Sequence, residues 1–189
     1  MTVITAVRLV GGATAIGCDT ASQVESGLHL QATTKLLHLG AGAILGSVGS
    51  AAVREWLRWR VHDGDVAPSG GEDRWLNQQL LAFRSTMRDD LDQVDGRALL
   101  PSYGLMATSR SLFLWDTTCT VVRVAGHFAA VGAGSSVAMG AMWACIRSPG
   151  STTLLKHPPA ADEIASSGVY AAIDLVDGCG GTAITVIVS

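Results

Sequence analysis

Three residues near the start of the chain have the types that nucleophilic chemistry needs: a hydroxyl at Thr2, a carboxylate at Asp19 and an ammonium at Lys35. Thr2 follows Met1, and a small second residue is what methionine aminopeptidases tolerate, so the mature chain is expected to begin with threonine. Such a residue holds nucleophile and base together. Its hydroxyl attacks a carbonyl while its own α-amino group, with a reference pKa of about 8, takes the proton. With Met1 attached the amine is an amide and the base is lost. Lys35 stands out because, of thirteen basic side chains, only Lys35 and Lys156 are lysine. A compact ammonium on a flexible stem can sit beside a hydroxyl and lower its pKa. Asp19, at the end of an apolar run, is the candidate acid to hold that ammonium. A lone Thr, Asp and Lys are equally ordinary surface residues; their position is what gives them weight.

The elements that must position these residues follow from periodicity. Val3 to Val7 and Ala13 to Cys18 flank Gly11-Gly12, the sequence form of a β-hairpin, and both strands are apolar on both faces, as in a sheet covered on two sides. Thr20 to Ala32 is polar and mixed. Thr33 to Leu39 and Ala43 to Val48 read as a second hairpin around Gly40-Ala41-Gly42. A helix capped near Ser50 carries Val53, Trp56, Leu57 and Val61 on one side. After a loop from Asp63 to Gly71, a helical pattern of Leu76, Leu80, Phe83, Met87 and Leu91 runs to Asp95-Gly96. Four strand signals follow: Tyr103 to Thr108, Ser111 to Trp115, Thr120 to Val124 and His127 to Val131. A helix from the Gly132 to Ser136 turn ends at Arg147-Ser148-Pro149-Gly150, another starts near Asp162, and Thr182 to Val188 is a strand. Helices arriving in pairs between groups of strands are satisfied by two stacked sheets, each covered outside by a helix pair.

The order Thr2, Asp19, Lys35, then Gly46-Ser47-Val48-Gly49-Ser50 before a helix, resembles proteasome-type β subunits and especially the bacterial HslV-like peptidases. The resemblance extends through Ala130-Val131-Gly132-Ala133-Gly134-Ser135 to Asp177-Gly178-Cys179-Gly180-Gly181, nearly the whole chain. It implies an α+β fold, a four-layer αββα sandwich of two stacked, mainly antiparallel sheets in a single N-terminal-nucleophile hydrolase domain spanning residues 1–189. It implies a threonine endopeptidase in a self-compartmentalising hexameric or heptameric ring, one or two rings deep, that cleaves unfolded polypeptide and is served by an ATP-dependent unfoldase. Thr2 would be nucleophile and base, Lys35 would tune it, Asp19 would orient Lys35, and the Gly49 N–H would face the developing oxyanion. Gly49 also reads as a glycine needed for a tight strand-to-helix turn. The family has a serine where Ala133 stands, for which Ser135 is the nearby substitute, and a serine where Cys179 stands. Asp177 either keeps the family's acid role near the terminal amine or is a solvent-facing helix-end residue. The family's pocket for the side chain before the scissile bond falls on Ser22, Thr33, Ser47 and Ala51, small and uncharged, which implies a preference for large apolar residues. The departures at Ala133 and Cys179 leave a second reading, a catalytically inactive shell or assembly protein of the same fold.

Composition limits the rest. A chain of 189 residues builds one domain with a sizeable core, and a 48% hydrophobic content with 15% charged residues and a mean hydropathy of +0.34 leaves apolar surface to bury against other copies. The net charge of −3 and the scatter of the basic residues argue against nucleic acid. Arg54 and Arg58, one helical turn apart, read as a solvated face or a subunit contact. Cysteines at 18, 119, 145 and 179 have no metal spacing and, with no signal peptide ahead of them, are expected as reduced buried thiols in a cytoplasmic protein. The five dispersed histidines form no zinc-binding pair, so neither metal nor cofactor is expected. Val124 to Ile146 carries no formal charge, yet its glycines and serines favour a strand and a buried helix over a membrane span. Gly132-Ala133-Gly134 between strand and helix also suggests a phosphate loop, though the third glycine and the lysine are missing.

Overall fold

The computed structural model describes residues 2–10, 12–24, 27–30, 35–40, 42–91, 93–94, 97–147 and 159–188. In chain order the elements are β1 (Val3–Arg8), β2 (Thr14–Asp19), β3 (Ala21–Val24), β4 (Gly27–Leu30), β5 (Leu36–Gly40), β6 (Ala43–Gly49), α1 (Ala52–His62) and α2 (Glu72–Thr86). Then come β7 (Gln93–Val94), β8 (Arg97–Ala98), β9 (Ser102–Ala107), β10 (Leu112–Trp115), β11 (Val121–Arg123), β12 (Phe128–Gly132), α3 (Ser135–Arg147), α4 (Ala161–Leu175) and β13 (Ala183–Val188). One antiparallel sheet has the order β12-β1-β2-β13 and the other β11-β10-β9-β6-β5.

Alternation along the strands builds four layers. Ile4 and Ala6 of β1, Ile16 and Cys18 of β2, Ile44 of β6 and Leu105 of β9 share one buried cluster between the sheets. The other face of the second sheet, with Leu37, Leu45, Met106 and Phe113, packs against Val53, Leu57, Leu76, Leu80 and Phe83 of α1 and α2. Val3 and Val7 face α3 and α4 through Ala138, Met142, Ala165 and Val169. Because β1 and β2 are covered on both faces, nearly every residue in them is buried, which explains their continuous apolar runs. Thr5, Thr14 and Asp19 are the buried polar residues of these strands, and the Thr5 hydroxyl donates to the Ala165 carbonyl oxygen at 2.9 Å, so its own burial costs no unpaired group.

Several local expectations need correction. The polar stretch after Thr20 contains a hairpin, β3 with β4, in register Ala21↔Leu30 to Val24↔Gly27. The second helix stops at Thr86, and a 3-10 turn at Arg88–Asp90 follows, so Met87 and Leu91 reach the helix-side cluster from beyond the helix. The last helix begins at Ala161, one residue early, where Glu163 accepts the Ala160 N–H at 2.9 Å. Arg54 is not on a solvated face: it lies inward in the first turn of α1 between Val53 and Leu57 and is 8% exposed, with Nε 3.6 Å from Glu55. Arg58 is the exposed partner, paired with Glu55 at 2.5 Å. Cys18, Cys119 and Cys179 are buried and Cys145 is half-buried, and none of the four is in a disulfide. The uncharged stretch from Val124 divides into the turn after β11, β12 and α3, and among the described residues no helix is long and apolar enough to cross a membrane.

Candidate active site

Strand register collects the chemistry at one end of the sandwich. Antiparallel pairing of Ile4 with Cys18 brings Asp19, the last residue of β2, level with Val3, and β13 joins on the other side with Ala183 opposite Asp19. In the second sheet Leu36 pairs with Gly46, so one step further sets Lys35 level with Ser47, two residues before Gly49. The ends of β2, β6 and β12 and the starts of β1, β5, β9 and β13 therefore meet at the same edge of both sheets.

Lys35 binds two of the sequence-selected groups at once. Its Nζ donates to Thr2 Oγ1 at 2.7 Å and to Asp19 Oδ1 at 2.7 Å. Asp19 is fully buried and Lys35 is 4% exposed. A charge pair taken out of water is tolerable only when its remaining hydrogen-bond capacity is filled. Here the carboxylate also accepts the Val3 N–H at Oδ1 (3.0 Å) and the Gly180 N–H at Oδ2 (3.3 Å). Two backbone amides and one ammonium thus fix the carboxylate, and it in turn fixes the ammonium against the hydroxyl. A positive charge held at hydrogen-bond distance from Thr2 Oγ1 favours the alkoxide form of that oxygen.

The segment before β13 is stitched to the end of β2. Ala21 donates to the Gly180 carbonyl oxygen at 3.1 Å and Thr182 donates to Thr20 Oγ1 at 2.9 Å, which aims the Gly180 amide at Asp19. Gly180 was not among the residues the sequence singled out. Its signal is the glycine-rich run directly before the strand that pairs with Asp19. Cys179 beside it is buried, and burial, with the Asp19 charge adding to it, pushes its thiol up from the ordinary value.

The turn after β12 closes the other side. Gly132 pairs with Val3 and has φ +98°, and a Cβ there would overlap the Thr2 carbonyl oxygen. A Cβ at Gly134 would lie 2.6 Å from Ala172 Cβ and 3.2 Å from Cys179 Sγ. The space a phosphate loop would keep open is filled by β1 and α4, so the phosphate-loop reading fails. Gly132→Ala is expected to displace Thr2 and to lower stability by about 2 kcal/mol or more, the combined cost of a left-handed φ and a backbone overlap. Thermal unfolding of the variant checks it, with an unchanged midpoint as the contrary result.

The remaining candidates are placed as follows. Gly49 ends β6 with φ +96°, and a Cβ there would sit 2.5 Å from the Pro101 carbonyl oxygen, so its turn requires glycine. Ser47 is buried and shares its face of β6 with Ala43 and Leu45, and Ala51 is exposed just before α1. Ser22 is on β3 with its side chain outside the described set, and Thr33 lies outside the described residues. Ser135 is the half-buried first residue of α3, and Ala133 before it is exposed. Asp177 is exposed in the turn after α4. Neither the Ser135 hydroxyl nor the Asp177 carboxylate is hydrogen-bonded to another described residue. Among the described residues no group of three or more His, Cys, Asp or Glu side chains could hold a metal ion.

No protein-family model and no curated protein matches the sequence. Solved structures do match it over its full length. Thiobacillus denitrificans BPH superposes with a TM-score of 0.79 at 24% identity, covering 99% of this chain and 98% of that one. The same protein in complex with epoxomicin gives 0.78 at 23% identity, with 99% of each chain covered. Eukaryotic HslV from Trypanosoma brucei gives 0.71 at 16% identity, with 98% of each chain covered. Two stacked antiparallel sheets between two helix pairs, aligned end to end with these structures, give this chain the αββα fold that BPH and HslV have.

Proposed function

We propose that the chain is an N-terminal threonine peptidase of the HslV and proteasome type, acting on unfolded polypeptide inside a homo-oligomeric ring. The observation that carries this reading is the single ammonium, Lys35 Nζ, bonded at 2.7 Å to both the Thr2 hydroxyl and the buried Asp19 carboxylate. The similarity in fold to HslV and to a protein solved with epoxomicin supports it. Once Met1 is removed, the freed Thr2 amine takes the hydroxyl proton as Oγ1 attacks the scissile carbonyl, and the Gly49 N–H receives the oxyanion. Collapse of the tetrahedral species breaks the C–N bond, and the proton held on the Thr2 amine passes to the leaving amine. Water then attacks the ester on Thr2 by the same route in reverse and regenerates the hydroxyl. Ser135 and Asp177 are assigned to the support of that amine, and Ser22, Thr33, Ser47 and Ala51 to a neutral pocket for a large apolar residue before the bond. Assembly is supported by the outer face of α3 and α4, where Met139, Trp143, Ile146 and Tyr170 are exposed.

Ala133 and Cys179, where the resembling family carries serines, favour a second reading in which the fold persists as a non-catalytic shell. Intact mass separates the two: a chain lacking one methionine that takes up one equivalent of epoxomicin supports the peptidase, and a chain retaining Met1 that takes up none supports the shell. Lys35→Arg refines the test. Arginine cannot place a point charge in a space shaped for an ammonium and cannot share its proton. Its kcat/KM is expected to fall more than about tenfold, over ~1.4 kcal/mol of transition-state stabilisation, and a smaller loss removes Lys35 from the mechanism.

A further inference from the structure

A cavity opens at the same end of the sandwich as Lys35 and Thr2, and nothing in the reaction above uses it. Its volume is about 440 Å³, and Tyr103 of β9, Leu114 and Trp115 of β10, Val122 of β11 and Val131 of β12 line it, together with Asp116 and Thr117. The lining is mostly apolar, yet Tyr103 is 37% exposed and Val122 54% exposed. The carboxylate in the lining is committed elsewhere: Asp116 Oδ1 accepts the Thr118 N–H at 2.8 Å, the Thr118 hydroxyl at 2.6 Å and the Thr120 N–H at 3.0 Å.

Register fixes the relation of this cavity to Thr2. Val3 pairs with Gly132 and Ile4 with Val131, so Thr2 is level with Ala133 and diagonal to Val131. Diagonal neighbours on one face of an antiparallel pair lie about 7–8 Å apart. The face is shared, because Ile4 and Val131 both belong to the cluster between the sheets, and Thr2 alternates onto the side of Ile4. An extended peptide advances about 3.3–3.6 Å per residue, so the cavity wall is two residues from a carbonyl bound at Thr2 Oγ1. Direction follows from the sheet orders. Asp19, Lys35 and the pocket residues Ser47 and Ala51 lie toward β2, β5 and β6, whereas the cavity lies toward β12 and β10, on the opposite side of β1.

Resting on the peptidase reading, we infer that this cavity is the subsite for the side chain of the second residue after the scissile bond, and that it selects a large apolar one. A polypeptide seated with its acyl part toward β6 must leave across β1 toward β12, where the exposed apolar surfaces of Tyr103 and Val122 are covered by that side chain. Short substrates whose reporter dye directly follows the bond never reach it, so they underestimate the enzyme's selectivity.

The test uses the assembled wild-type protein and internally quenched peptides, identical up to the bond, with Gly, Asp, Leu or Phe as the second residue after it. The kcat/KM values for Leu and Phe are expected to exceed that for Gly by about tenfold, with Asp below Gly. Val122→Asp, at a position 54% exposed, is expected to bring the Leu-to-Gly ratio to about one, and Tyr103→Ala to lower it for Phe most. Cleavage that is indifferent to this residue in the wild type, or a ratio that Val122→Asp and Tyr103→Ala both leave intact, overturns the subsite while the peptidase reading stands. Absence of any Thr2-dependent cleavage overturns the peptidase reading and the subsite with it.

Discussion

Thr2→Ala is expected to remove peptide turnover altogether, a fall of about 10⁴-fold or more, while the protein folds and assembles as the wild type does. Loss of a covalent nucleophile costs a rate factor of this size because no other group takes over bond formation. The folded state loses much less. The Thr2 hydroxyl meets Lys35 Nζ at 2.7 Å, but Asp19 continues to hold that ammonium, so no charge is orphaned. One charged hydrogen bond is worth about 1.5–3 kcal/mol, and water at this half-buried position restores part of it. Fluorogenic-peptide hydrolysis, thermal unfolding and light scattering on the two proteins check the three parts of the claim. Wild-type turnover by the variant would take the nucleophile away from Thr2.

Asp19→Ala is expected to damage both chemistry and stability. It leaves Lys35, 4% exposed, without its counter-ion and strips acceptors from the Val3 and Gly180 amides. Removing one partner of a buried ion pair costs about 3–5 kcal/mol. For a chain of this length that corresponds to a fall in Tm of roughly 6–20 °C. Activity should be lost as well, since nothing then holds the ammonium at Thr2. Asp19→Asn separates the contributions: its side-chain oxygen still accepts a backbone amide, so the Tm loss should be smaller while activity remains absent. A Tm within about 2 °C of wild type for Asp19→Ala would mean that the Asp19–Lys35 pair contributes little to the folded state.

Part of the site can be read from residue order. Thr2, Asp19 and Lys35 were legible because a side-chain type at a position is a sequence property, and apolar runs on both sides of them gave the strands that bring them together. Gly180 was not legible, because its contribution is a backbone N–H, which every residue but proline has, aimed by pairing with a strand 161 residues away in sequence. The β3–β4 hairpin was hidden by its polar composition. Arg54 misled for a related reason: its charge suggests solvent, while its position between Val53 and Leu57 puts its aliphatic stem inside. Gly132 was read as part of a turn motif, but its necessity comes from the Thr2 carbonyl packed against it, a contact between residues far apart in sequence.

The pairing of β2 with β13 also sets when the site can exist. The Asp19 carboxylate is complete only when the Gly180 amide and the strand that begins at Ala183 have docked beside it. A chain emerging from the ribosome delivers Thr2, Asp19 and Lys35 early, yet the amide that finishes the cradle arrives some 160 residues after Asp19. On the peptidase reading proposed above, Thr2 is therefore without its finished cradle throughout synthesis, until the sheet that holds Asp19 has closed.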